Sequence, residues 1–218
     1  MTAMTPKRAR EFFWALVENA IALVEDAALL ESQSPARAQS LLVLAYEEVG
    51  KASWVLDAFW RAWEDDSDDV RDVKELSAGS RHHGAKYLGG REFSMHLPIP
   101  YLWHSPDEMI QLGPMAVGNG EVIEAIGEPP DLPSKIAARA NEAKQRGLYV
   151  DLDREGVVRA PKDAEVIDLV AHRGHVAASI VTLIYSYAFL VLHDRDTEGA
   201  AQALLVRAEA HARDEDYA

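Results

Sequence analysis

The chain has 218 residues, 48% of them hydrophobic, with no cysteine and a formal net charge of −14. That length and apolar content suit a single packed core, and the missing cysteines exclude disulfides, thiolate metal sites and cysteine nucleophiles. The acidic balance disfavours broad, non-specific binding to nucleic acid, although salt confines surface fields to about 10 Å and leaves room for a local basic site.

Met1 to Glu11 is polar and basic, so no secretory leader is expected. From Arg8 to Leu30, the residues Phe12, Leu16, Ala20, Leu23, Ala27 and Leu30 recur at three- and four-residue spacing, which predicts an amphipathic helix. Ser34 and Pro35 then read as an N-cap and a first helical residue, opening a second helix that runs to about Trp63. The acidic run Glu64 to Asp69 reads as a solvated linker. A third helix is expected from about Asp69 to Leu88, ended by Gly89 and Gly90.

The stretch 91–130 is rich in proline and glycine and reads as an irregular excursion with one or two short helices. It is apolar at Leu97, Ile99, Tyr101, Leu102 and Trp103, which need a surface to pack on. A fourth long helix is expected over Pro133 to Arg146, with Gly147 as its C′ residue. Leu148 to Asp153 alternates apolar and polar residues, and Val157 and Val158 follow a turn at Gly156, so a small β-hairpin is expected. Two more helices follow, over about Lys162 to His193 and Asp196 to Arg213, with an acidic tail over 212–218. The longest apolar run, Ile180 to Leu192, is broken by Thr182, Ser186 and two tyrosines. At about a dozen residues it is too short to span a bilayer.

The second helix carries the most information. Ala38, Leu41, Leu42, Ala45, Val49, Ala52, Leu56, Phe59 and Trp63 share one face, and Val43, Leu44, Trp54 and Val55 lie on the other side. A helix apolar nearly all round is buried, yet Glu47, Glu48 and Lys51 sit in its middle. Burying an ion costs several kcal/mol unless it is paired. Glu47 and Lys51 stand at i and i+4, and Glu48 and Lys51 at i and i+3, so either carboxylate reaches the ammonium. Gly50 adds about 1 kcal/mol of helix cost relative to alanine, a cost that close approach of another backbone or a ligand would justify. Two readings stand for this segment: a structural ion-pair knot, or a functional polar site. The third helix offers partners in Arg81, His82, His83 and Lys86, whose carboxylate-facing side would neutralise the cluster if the two helices lie side by side. Taken alone, each histidine reads equally as a surface or packing residue.

Three segments, in order, carry a resemblance to a known family. Leu42 to Ala52 contains Glu47-Glu48-Val49-Gly50-Lys51, similar to the Glu-Glu-x-Gly-Lys signature of AbiV-type abortive-infection proteins. His83-x-x-Lys86 is similar to their downstream His-x-x-Lys. Lys144-x-x-Gly147-Leu148-Tyr149-Val150-Asp151 resembles their Leu-Tyr-Val-Asp element, with Gly156 and Pro161 behind it. The resemblance implies an all-α, HEPN-like antiparallel bundle and a role in bacterial anti-phage defence, in which an infected cell is shut down before phage matures. A cytoplasmic protein without membrane or cofactor is expected from the residues, and the resemblance also implies a homodimer. A phage-encoded protein trigger, RNA or the translation machinery are the partners it suggests.

Many HEPN proteins are metal-independent ribonucleases with an arginine followed, after four to six intervening residues, by a histidine on a late helix. Arg91 and His96 have the spacing, but between glycines and a Leu-Pro-Ile-Pro run. Arg207 and His211 lie on a late helix but one residue too close. Ribonuclease chemistry would therefore draw on the central cluster. His82 or His83 would act as acid and base, and Lys51, Arg81 or Lys86 would face the phosphate. Glu47 and Glu48 would orient them.

Other classes find less support. No Glu-x-x-His for a di-metal bundle occurs. Asp168, His172 and His175 have metal-ligand residue types, but histidines at this helical spacing read more readily as packing groups. No P-loop, dinucleotide fingerprint or nucleophile elbow is present. The expectation is one HEPN-like helical domain over 1–218 acting as a defence effector on RNA or translation. The alternative is a non-catalytic module that binds a phage or host protein.

Overall fold

A computed structural model describes residues 3–79, 83–94, 132–152, 155–192 and 199–212. Helix α1, Pro6–Leu30, is opened by Thr5, whose side chain accepts from the Arg8 N–H at 3.3 Å. Helix α2, Pro35–Glu64, begins at the proline as expected, but Ser34 makes no side-chain cap. The two helices run antiparallel: the Trp63 indole, near the end of α2, donates to the Pro6 carbonyl at 2.8 Å. Strand β1, Ala3–Met4, pairs antiparallel with β2, Arg71–Asp72, and clasps the open end of this hairpin. The Arg71 guanidinium donates to the Ala58 carbonyl at 3.0 Å.

That pairing corrects the expected helix start at Asp69. Helix α3 covers Lys74–Gly79, and helix α4 covers His83–Ser94. Gly89 and Gly90 lie inside α4 and do not end it. They are the surface on which α4 meets α2. The Trp54 indole lies against Gly89, and a methyl added at Gly90 would sit 2.8 Å from the Tyr46 carbonyl oxygen. The helical span 91–94 also trims the expected irregular excursion, most of which (95–131) lies outside the described residues.

Helix α5, Leu132–Leu148, carries Gly147 inside its last turn, where a C′ residue was expected. The reason is again close approach. A methyl at Gly147 would overlap the Ala36 carbonyl oxygen and the Ser40 hydroxyl of α2. The anticipated hairpin is present as β3, Asp151–Leu152, and β4, Val158–Arg159, with Asp151 opposite Arg159 and Leu152 opposite Val158. Gly156 in its loop has a φ of 78°, a conformation that glycine takes without a steric cost.

Pro161–Asp163 forms a single 3-10 turn, and helix α6, Leu169–Tyr187, starts well after Lys162. Asp168 sets that start by accepting the Ala171 N–H at 3.0 Å. A π-helical turn, Ala188–Leu192, continues α6, and helix α7 covers Ala200–Ala212. Leu169–Val191 is 23 residues, long and apolar enough to cross a bilayer by length and composition, which corrects the count made on Ile180 to Leu192 alone. Its burial against the bundle, with His172, His175 and Ser179 buried on it, is that of a core helix.

The core surrounds α2. Leu42, Val43, Ala45, Val49, Ala52, Val55 and Phe59 are all buried, in keeping with a helix apolar nearly all round. Phe13 of α1 stacks on Tyr187 of α6 with centroids 5.3 Å apart, and Trp63 meets both edges of this cluster. Arg207 of α7 makes a two-pronged ion pair with Glu25 of α1, at 2.8 and 2.7 Å, which ties the last helix to the first.

Candidate functional site

Ala36, Ser40 and Glu47 stand four and seven residues apart, close to whole helical turns, so α2 presents all three on one face. That face receives α5. The Ser40 hydroxyl donates to both the Ala36 carbonyl (2.9 Å) and the Lys144 carbonyl of α5 (3.0 Å). Gly147 removes the side chain that would hold the helices apart. With α5 seated in this way, the Lys144 ammonium reaches the Glu47 carboxylate at Oε1 through a very short ion pair. Both side chains are almost wholly buried, at 6% and 5% exposure.

The other carboxylate oxygen faces α4. His83 Nδ1 lies 2.9 Å from Glu47 Oε2. Gly50, one turn further along α2, sets this second contact. A methyl there would overlap the Lys86 carbonyl oxygen and lie 2.7 Å from the Gly90 nitrogen. The glycine in the middle of the charged segment thus answers the close approach of another backbone, one of the two causes considered for it. Unlike its partners, the His83 side chain is 48% exposed. Glu47 is thus engaged on both oxygens, by the Lys144 ammonium and by His83 Nδ1, and the other ring nitrogen, Nε2, lies on the far edge of the imidazole from that contact.

The sequence cluster therefore divides. Glu47 finds its partners on other helices and not in Lys51. Lys51 pairs with Glu48 at 2.5 Å, an i, i+3 pair with 20% and 16% of the side chains exposed. Lys86 is half-buried one turn on from His83, and its backbone carbonyl is the atom that abuts Gly50. Arg81, His82 and His96 lie outside the described residues, and so does any statement about the Arg91 side chain. Lys144 is the member that sequence reasoning missed. A signal existed: Ile136, Ala137, Ala140 and Lys144 fall on the buried stripe of α5, and a lysine on such a stripe requires a buried partner.

A second polar unit lies deeper, between α2 and α6. The Tyr46 hydroxyl and His175 Nε2 share a hydrogen bond at 3.1 Å, and Tyr46 also meets Tyr87 of α4 edge-on with centroids 4.9 Å apart. Burial pushes the His175 imidazole down to about 4. It pushes His172, one turn earlier, down to about 3, with the neighbouring His175 adding to the effect. Asp168 is engaged as the cap of α6. Among the described residues, no group of three or more His, Asp or Glu side chains is arranged to hold a metal ion.

The fold and this site place the chain among all-α bundle proteins built round one buried helix, with a carboxylate clamped between a lysine and a histidine from two neighbouring helices. The sequence profile of AbiV, a HEPN family, matches residues 8–182, and the chain belongs to that family. No curated protein and no solved structure matches the chain.

Proposed function

We propose that this chain is an anti-phage defence effector of the abortive-infection type, acting on RNA or translation, with His83 and Glu47 as its working centre. Membership of the AbiV family supports the defence role. The observation that carries the catalytic part is the half-exposed His83 imidazole held by a buried carboxylate. A histidine that donates Nδ1–H to an anion keeps its lone pair on Nε2, the form a base needs.

On an RNA substrate, Nε2 would take the proton of a 2′-hydroxyl. The freed oxygen would attack the adjacent phosphorus, and the P–O5′ bond would break to leave a 2′,3′-cyclic phosphate and a 5′-hydroxyl. The leaving oxygen would recover a proton from the imidazolium or from water. Lys86, one turn along the same helix, would supply positive charge near the phosphate. The net charge of −14 opposes long-range RNA capture, so binding on this reading is local and short-ranged.

A second reading rests on a different observation. Tyr149, Val150, Leu152, Val157 and Val158 of the hairpin region are all more than half exposed. Apolar side chains gathered on a surface are a feature of protein interaction sites. On this reading the chain is a non-catalytic module, and the hairpin receives a phage or host protein, or a second copy of the chain.

A phage-challenge assay separates the two. Cells expressing wild type, His83→Ala or Leu152→Ser/Val158→Ser would be infected, total RNA followed on gels, and folding of each protein checked by circular dichroism. Loss of protection and of RNA fragments with folded His83→Ala supports the catalytic reading. Full protection by folded His83→Ala overturns it, and loss of protection only in the hairpin variant supports the interaction reading.

A further inference from the structure

Glu47 can hold His83 in either of two ways. As an anion it accepts from Nδ1–H, and Nε2 then carries the lone pair. As a neutral acid it donates to Nδ1, and Nε2 then carries the hydrogen. The heavy-atom distance of 2.9 Å is the same for both. Only the first leaves a base facing outward.

We propose that Lys144 is a positioning residue that selects the first arrangement and so keeps a lone pair on His83 Nε2. This rests on the reading of His83 as the acid–base group. The Lys144 ammonium lies on Oε1 of the same carboxylate whose Oε2 meets His83, and it is nearly as buried as Glu47 itself. A buried ammonium requires an anion, and Glu47 is the carboxylate it touches. The remaining charges around the contact act less directly. Glu48 and Lys51 of α2 neutralise each other at 2.5 Å, and Lys86 of α4 lies on the imidazole's own helix.

Lys144 comes from α5, 97 residues from Glu47, so its arrival depends on the seating of α5 on α2. Ser40 and Gly147 fix that seating by gripping the Lys144 backbone and admitting the Ala36 carbonyl. The set Ala36, Ser40, Lys144 and Gly147 therefore acts on the imidazole at one remove. Through Glu47 it decides which of the two ring nitrogens carries the lone pair.

The test is a nitrogen-15 spectrum of histidine-labelled full-length protein, with His83→Gln identifying the His83 signals. It would be recorded at about pH 8, above the ordinary imidazole range near 6.5. Wild type and Lys144→Arg should show a protonated Nδ1 and an unprotonated Nε2 at His83. In Lys144→Met the unprotonated Nε2 signal should be lost, because the pair takes up a proton from solvent, either on Glu47 with the ring hydrogen now on Nε2 or on the imidazole, which becomes charged. A wild-type spectrum with hydrogen on Nε2 overturns the proposal. So does a folded Lys144→Met that keeps the wild-type pattern. If Lys144→Met does not fold, Lys144→Gln, which keeps a neutral donor for Oε1 without the charge, answers the same question. An unprotonated Nε2 retained there overturns the proposal, and its loss supports it. None of these spectra uses RNA, so a failure here is distinct from a failure of the RNA reading, which the phage assay on His83→Ala decides.

Discussion

The contact zone of α2 with α4 and α5 and the hairpin of β3 and β4 hold the same kinds of residue in opposite circumstances. In the first, ions are buried and glycines are forced: Glu47 and Lys144 are almost wholly covered, and Gly50, Gly90 and Gly147 stand where any side chain would meet backbone. In the second, apolar residues are exposed and the glycine is free. Val150 and Leu152 are 67% and 63% accessible, and among the described residues no atom lies within 4 Å of a methyl added at Gly156. The difference shows that burial, and not residue type, decides what a substitution costs. It also separates two kinds of candidate surface, one assembled inside the fold and one laid on it.

The largest effect is expected where that contrast is sharpest. Glu47→Ala strands the Lys144 ammonium in the core and should cost about 3–5 kcal/mol, read from urea denaturation. Glu48→Ala removes only a partly solvated pair and should cost no more than about 1 kcal/mol. Equal losses from the two would show that the buried pair has no special standing.

Acid comes next. His172 and His175 are held near 3 and near 4, below the ordinary imidazole value of 6.5. The folded state then binds fewer protons than the unfolded chain between those values. Stability is full above about pH 6.5 and falls as the pH drops toward 4, by roughly 1.4 kcal/mol per group for each unit of pH well inside that window. His172→Leu should flatten the fall measured by thermal melting between pH 7 and 4. An unchanged slope would assign the acid sensitivity to other groups.

Gly50→Ala tests the helix crossing. Alanine gains about 1 kcal/mol in helix propensity, but the added methyl must displace the Lys86 backbone, and overpacking of this kind costs about 1–3 kcal/mol or more. Net destabilisation is expected in a thermal melt, whereas a stabilised variant would mean that α4 moves freely over α2. Gly156→Ala is a control for the left-handed backbone alone. The smallest effect belongs to the hairpin. Leu152→Ser or Val158→Ser should change stability by no more than about 0.5 kcal/mol, so any loss of phage protection there would report on a partner and not on folding.

Much of this was written in local patterns. The apolar periodicity of α1 and α2, the proline opening α2 and the alternation around Asp151 and Val158 all produce the elements found. The reading of Gly50 as a point of close approach was also available, since a glycine inside a buried helix has few other causes. Gly89, Gly90 and Gly147 fit helix ends by sequence alone, whereas the structure places them at helix crossings. A glycine at a terminus and a glycine at a crossing look alike until the neighbouring helix is known. Asp168 illustrates a different limit. Lys162 to Ile167 have no strong breaker after Pro161, and the cap at Asp168 won over helix propensity. The partner of Glu47 was the hardest to read. Lys51 is close in sequence and Lys144 is distant, and sequence spacing favours the near one, while burial chose the far one.

The ion pair of Glu47 with Lys144 has a consequence for the order of events during synthesis. The α1–α2 hairpin is a local contact, formed by neighbouring segments, and long-range contacts close more slowly than local ones. Emerging from the ribosome from its N-terminus, the chain presents Glu47 and His83 well before Lys144. Until α5 has been made, the Glu47 carboxylate lacks the Lys144 ammonium that faces it. A nascent or truncated chain ending before α5 would therefore carry the family's charged segment without a completed centre.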